Sequence, residues 1–160
     1  MAFTFDFSNK NVLVVGGTSG INRGVAETFA KAGARVAVVS RSQEKVDDTV
    51  QSLKNYGAAD ATGFSADVRE VDAIKTGIDK IAADWGALDV VVSGAAGNFP
   101  ALAMGMSPNG FRSVIEIDLL GTFHVMQAVY PHLKKPGASI INISAPQAEI
   151  PMAGQSHVCA

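Results

Sequence analysis

The sequence has one cysteine, Cys159, so no disulfide can form within the chain and a reducing compartment is expected. No apolar stretch approaches the ~20 residues of a membrane span. The opening residues, Met1 to Lys10, lack a basic run followed by an apolar one, so they do not read as a secretory leader. Charge of a single sign is missing as well: 13 Lys and Arg oppose 15 Asp and Glu, scattered along the chain, for a net charge of −2. A nucleic-acid footprint needs a basic patch or stripe, and none is legible. No metal-binding motif stands out. The expectation is a cytoplasmic protein with neither nucleic acid nor membrane as partner.

What remains is ordinary globular material. The 160 residues are 48% hydrophobic and 18% charged, enough for one domain with a core. Short apolar, β-branched runs occur at Val12–Val15, Val36–Val39, Val90–Val92 and Ser139–Ile143, with a weaker one at Ala61–Ser65. Such runs read as strands buried on both faces of a parallel sheet. Between them lie stretches of helical periodicity: Val25–Ala32, Gln43–Tyr56, Val71–Trp85 and Gly110–Leu133. The alternation predicts an α/β fold, a doubly wound parallel sheet with right-handed crossovers. Gly33 and Gly57 are placed to end the first two helices, and Ser42 to cap the second. Pro136-Gly137 should turn the chain into the fifth strand. Phe3, Phe5 and Phe7 alternate with polar residues and read as a lead-in packed on the sheet.

The first strand runs into Gly16-Gly17-Thr18-Ser19-Gly20-Ile21-Asn22-Arg23-Gly24, and a helix follows. Glycines allow a tight turn and a close approach to pyrophosphate, and the helix N-terminus adds free N–H groups and a positive dipole end. A bland reading is an ordinary glycine-rich loop, but a strand before and a helix after favour dinucleotide binding. Gly16, Thr18, Ser19, Gly20 and Ile21 are the expected contacts. The spacing resembles the T-G-x-x-x-G-x-G pattern of the short-chain dehydrogenase/reductase family, a Rossmann fold. Val15 stands where that family has Thr, and Asn22 where it has the last Gly; Asn tolerates left-handed backbone better than most residues.

The second strand ends at Ser40-Arg41, with no carboxylate between Ala34 and Gln43 to accept from a ribose 2′-hydroxyl. Arg41 offers a guanidinium to a 2′-phosphate, and Ser40 a hydroxyl, so NADP(H) is the expected cofactor. The bland alternative is a surface arginine. Asp67-Val68 follows the third strand; alone, Asp67 reads as a helix N-cap, whereas the resemblance implies that the pair faces the adenine. After the fourth strand comes Ser93-Gly94-Ala95-Ala96-Gly97-Asn98-Phe99, where the family has Asn-Asn-Ala-Gly. Gly94, Ala95 and Ala96 are small enough for a cofactor to lie against the strand end.

The longer form Ala-Ala-Gly-Asn-Phe, then Ser107-Pro108-Asn109-Gly110-Phe111 and Ile117-Asp118-Leu119-Leu120-Gly121-Thr122-Phe123, resembles the 2,4-dienoyl-CoA reductases, above all the peroxisomal type. Counted from Gln155, the family's catalytic Tyr position falls on Val158 and its Ser position on Ala145, and neither side chain donates a proton. Ser144 and His157 each lie one residue off; Tyr56 and Tyr130 fall on helices elsewhere and read as packing residues. The family's helix Asn is replaced by Asp118. In the peroxisomal reductases an Asp at this position works with a Lys while water supplies the proton, so the resemblance makes Asp118 the catalytic residue. The plainer readings are a polar residue on a solvated stripe or one satisfying a helix break near Gly121. The resemblance further implies that Arg69 meets a CoA phosphate and that Phe99, Ser107 and Asn109 line the acyl-CoA site. A surface Arg, a core Phe and helix-entry polar residues are the bland readings.

The expected activity is NADPH-dependent reduction of a conjugated acyl-CoA in fatty-acid degradation. Alternatives are a family member acting on another carbonyl or alcohol, and a non-catalytic NADP(H)-binding module. Against the family's length the domain reads as cut short after the fifth strand. The catalytic Lys is expected just past Ala160, so this chain alone should be inactive. The helix around Gly110–Leu133 is more apolar than one sheet face needs, and a homo-oligomer, dimer or tetramer, is expected.

Overall fold

Successive side chains of a strand point to opposite faces, and in the central strands of this protein both faces are apolar. The computed structural model describes residues 5–160. Its five parallel strands are β1 (Asn11–Val15), β2 (Arg35–Ser40), β3 (Asp60–Ser65), β4 (Val90–Ser93) and β5 (Ser139–Asn142), in the order β3-β2-β1-β4-β5. In register, Val12 lies beside Val36 on one side and Val90 on the other. Val12, Val14, Val36, Val38, Val90 and Val92 form one core with helices α1 (Gly20–Lys31) and α2 (Gln43–Asn55). The intervening Leu13, Val15, Ala37, Val39 and Val91 face the other way, onto α3 (Val71–Trp85) and α5 (Gly121–Val129) through Ile74, Ile78, Val125 and Val129. The expected doubly wound α/β sheet is therefore present.

Most helix punctuation is as expected. Gly33 and Gly57 have positive φ just past α1 and α2, and the Ser42 hydroxyl accepts from the Lys45 N–H at 3.3 Å. Three differences have physical causes. α1 begins at Gly20 rather than Val25, because the extended Ser19 lets the glycine-rich segment enter the helix directly. The stretch read as one helix over Gly110–Leu133 is four pieces: α4 (Pro108–Val114), a widened π turn at Ile115–Leu120, α5, and a 3-10 turn at Tyr130–His132. The lead-in holds only in part. Phe7 packs edge-on against Phe29 with ring centroids 4.9 Å apart, Phe5 is exposed, and Phe3 lies outside the described residues.

The N-terminal edge of the sheet is stitched by polar groups. Asp89, almost buried, accepts from the Asn11 N–H at 3.0 Å and lies 3.3 Å from the ammonium groups of both Lys10 and Lys134. Burial opposes its ionisation, but the Asn11 amide and the lysines outweigh it and hold the carboxyl below the usual range. No described helix is long and apolar enough to cross a membrane.

Candidate functional site

From β1 the chain crosses through α1 to β2, which pairs along one edge of β1, while β4 pairs along the other. This is a topological switch point, where open α/β sheets bind ligands. A cavity of about 210 Å³ opens there, at the C-terminal ends of β1, β2 and β4. Gly16 turns the chain with φ +78°, and its N–H donates to the Val39 carbonyl at 2.8 Å. A Cβ at Gly16 would come 2.9 Å from the Gly94 carbonyl oxygen, so only glycine permits this approach of β1 to β4. The Ser19 side chain makes no capping bond and the first turn of α1 has no acidic residue. Its first-turn amides are therefore unclaimed by side chains, as at helix N-termini that bind phosphate, and Ser19 and Asn22 of this end line the cavity. A narrow glycine floor beside a free helix N-terminus fits a dinucleotide.

Of the expected cofactor residues, Gly16, Thr18 and Ser19 line this cavity from the turn, and Ser40 and Arg41 from the end of β2. Asp67 and Val68 line it after β3, and Gly94, Ala95 and Ala96 after β4. Gly20 and Ile21 lie outside its wall, and the Ile21 side chain is 78% exposed. Arg41 is exposed and has no ion-pair partner among the described residues. It remains available to an anion.

Asp67 is not a helix N-cap. Glu70 occupies that position for α3, and Asp67 closes the preceding turn by accepting from the Arg69 N–H at 3.0 Å. The Arg69 guanidinium also grips it, with Nε 3.0 Å from Oδ1 and Nη2 2.6 Å from Oδ2. These hydrogen bonds, led by the guanidinium, hold the Asp67 carboxyl below its ordinary range. Arg69 thus has one terminal nitrogen not engaged by Asp67.

Asp118 sits in the π turn, a widening found often at functional sites. Its Oδ1 accepts from the Gly97 N–H at 2.8 Å, which ties the turn to the segment after β4. Oδ2 makes no hydrogen bond among the described residues, yet it is not sealed off. Burial pushes the carboxyl above its ordinary range; the Gly97 N–H and neighbouring His157 pull it back in part. The solvated-stripe reading fails because Asp118 is half-buried and bonded to another segment. The helix irregularity near Gly121 is real.

A second cavity, about 200 Å³, is lined by Asp118, Leu119, His157 and Val158. Val158, an apolar side chain, thus shares this cavity with Asp118. His157 is buried and stacks on Phe99, with centroids 4.7 Å apart and a 31° tilt. Ser144 and Ala145 are exposed and outside that cavity. Ser107 caps α4, its hydroxyl accepting from the Gly110 N–H at 3.1 Å, and Asn109 is exposed. Tyr56 and Tyr130 are exposed with lysines over their rings, Lys31 at 4.3 Å and Lys135 at 3.7 Å, rather than packed in the core.

Sequence reasoning missed Asn22 as a structural contact. It is an ordinary α1 residue, not a left-handed one, and its side chain reaches the Gly94 carbonyl. The departure from glycine in the motif was the available signal.

With this geometry in hand, the comparisons are consistent. The family profile described as short chain dehydrogenase matches residues 10–160, and the chain belongs to that family. It is 40% identical over 142 residues to a peroxisomal 2,4-dienoyl-CoA reductase of Arabidopsis thaliana, covering 83% of this chain and 47% of that protein. A peroxisomal 2,4-dienoyl-CoA reductase of Saccharomyces cerevisiae is 35% identical over 143 residues, covering 87% and 49%. A probable 2,4-dienoyl-CoA reductase of Bacillus subtilis is 35% identical over 153 residues, covering 94% and 60%. The chain thus spans about half the length of the first two. Among solved structures, a citronellol catabolism dehydrogenase of Pseudomonas aeruginosa superposes with a TM-score of 0.85 at 32% identity, covering 97% of this chain and 62% of the other.

Proposed function

We propose that the protein is an NADPH-dependent reductase of conjugated acyl-CoA thioesters, of the 2,4-dienoyl-CoA type, acting in fatty-acid degradation. This chain supplies its dinucleotide site and the Asp118 side of its active site. The observation that carries the cofactor choice is Arg41, exposed at the cavity wall with no ion pair among the described residues, where an NAD site would place a carboxylate. The glycine floor and the first turn of α1 receive the pyrophosphate, and Asp67 and Val68 flank the adenine.

When bound, the nicotinamide cofactor supplies hydride. Addition of hydride to a conjugated dienoyl thioester leaves a dienolate, which is protonated on carbon. Asp118 suits the second step: with Oδ1 held by Gly97, Oδ2 is left to orient a water. Val158 and Ala145 favour this chemistry over carbonyl reduction, since neither side chain is a proton donor. Arg69, Phe99, Ser107 and Asn109 are proposed contacts of the acyl-CoA. The exposed Leu119, Leu120 and Phe123 beside the π turn support a homo-oligomer of the whole protein.

The test is a titration of the intact full-length protein with NADPH and NADH, followed by turnover on 2,4-dienoyl-CoA and on simple ketones. Saturable binding that favours NADPH, with turnover on the dienoyl thioester, is the expected result. Equal binding of both nucleotides overturns the cofactor assignment, and turnover on ketones alone overturns the substrate assignment.

A further inference from the structure

Asn22 lies on the first turn of α1 and is 8% exposed. Its Nδ2 donates to the Gly94 carbonyl oxygen at 2.7 Å, and its Oδ1 is buried with no partner among the described residues. The bond fixes which way the amide faces, because the reverse orientation would set two oxygens against each other. The same Gly94 carbonyl lies where a Cβ on Gly16 would collide with it, and the Gly94 N–H donates to the Val15 carbonyl at 3.1 Å. Three parts of the cavity floor therefore meet at one residue, Gly94: the glycine turn, the start of α1 and the end of β4.

The space beside that residue is taken. A Cβ at Gly94 would stand 2.6 Å from the Asn22 Oδ1, with Nδ2 closer still. A side chain at position 94 would therefore have to displace the Asn22 carboxamide from the Gly94 carbonyl. Burying an acceptor without a donor is costly, so stability alone would favour a small apolar residue at position 22. The asparagine has to be explained by what its other end holds. Positions 22 and 94 are also two of the places where the sequence departs from the family pattern, and here the two departures touch.

We infer that Asn22 is a positioning residue of the dinucleotide site. Its carboxamide latches the Gly94 carbonyl, sets the gap between the glycine turn and β4, and does from α1 what a side chain at position 94 would do from the strand. The inference rests on reading the cavity as a dinucleotide site.

The experiment uses the full-length protein in four forms: wild type, Asn22→Gly, Gly94→Asn and the double variant. NADPH dissociation constants, thermal midpoints and turnover at saturating NADPH are measured. Asn22→Gly should weaken NADPH binding by about tenfold while saturated turnover stays within about twofold. Gly94→Asn, which places a side chain into an occupied gap, should bind worse still. The double variant should return to within about threefold of wild type, the non-additivity expected of residues in contact. If Gly94→Asn does not fold, recovery in the double variant still carries the test. Wild-type affinity in Asn22→Gly, or a double variant no better than Asn22→Gly, overturns the latch. Failure of the wild type to bind NADPH overturns the dinucleotide reading itself, a distinguishable outcome.

Discussion

β1 and β5 are both short parallel strands of one sheet, yet their surroundings differ. Every residue of β1 is buried between two helical layers, with Val12, Leu13 and Val14 at 0% exposure. In β5 only Ile140 packs against the core; the other three residues are exposed, Ile141 at 47%. The same contrast separates the two sites. The glycine floor is built on β1 and β4, in the middle of the sheet, where neighbours on both sides fix the backbone. Asp118, Phe99 and His157 belong to segments after β4 that touch one another more than they touch the sheet. The geometry of the glycine-floored cavity is thus set by core packing, whereas the Asp118 region depends on a few specific contacts.

Four measurements sharpen or break this comparison. In the full-length protein, Asp118→Asn should cut turnover by about 10²–10⁴-fold, the range of a lost acid–base group. NADPH affinity should stay unchanged. Burial lifts the Asp118 pKa, so the wild-type rate should fall as pH drops through a value above the ordinary carboxylate range, and the variant should lack that limb. Next, Leu13→Ala should cost about 2–5 kcal/mol in urea unfolding, against about 1 kcal/mol or less for Ile141→Ala. Equal costs would erase the contrast between β1 and β5. Third, Arg41→Gln should weaken NADPH by about 10–100-fold, the loss of a charge-assisted bond, with NADH binding unaffected in the same titration. The smallest effect concerns the far edge of the sheet. Asp89→Asn should cost about 1–2 kcal/mol at neutral pH. The Asp89 pKa is depressed, so its contribution is present above the ordinary carboxylate pKa and is lost as pH falls through the lower, folded-state value. Acid unfolding curves of the two proteins should converge there.

Much of the sheet was legible because β-branched runs and glycine punctuation are local signals. Most of the cavity wall was legible for the same reason: Gly16, Arg41 and Gly94 each sit at the end of a strand that can be read from the sequence. The start of α1 was not, since Gly20 and Gly24 make a helical segment look like a loop. Nor was the π turn, because six apolar-rich residues carry no pattern that separates it from an ordinary helix. Asp118 stood out as a carboxylate between Ile117 and Leu119, but its partner Gly97 is 21 positions away and could not be inferred. The N-cap reading of Asp67 failed because Arg69, two residues on, claims the carboxylate for a turn.

The order of strands and helices, the glycine-rich turn after β1 and the absence of an acidic residue between Ala34 and Gln43 follow from the sequence by itself, because each depends on neighbours along the chain. The meeting of Asn22 with Gly94, of Asp118 with Gly97 and of His157 with Phe99 was decided by tertiary structure alone. Those contacts join segments whose relative position exists only after both faces of the sheet have buried their apolar side chains.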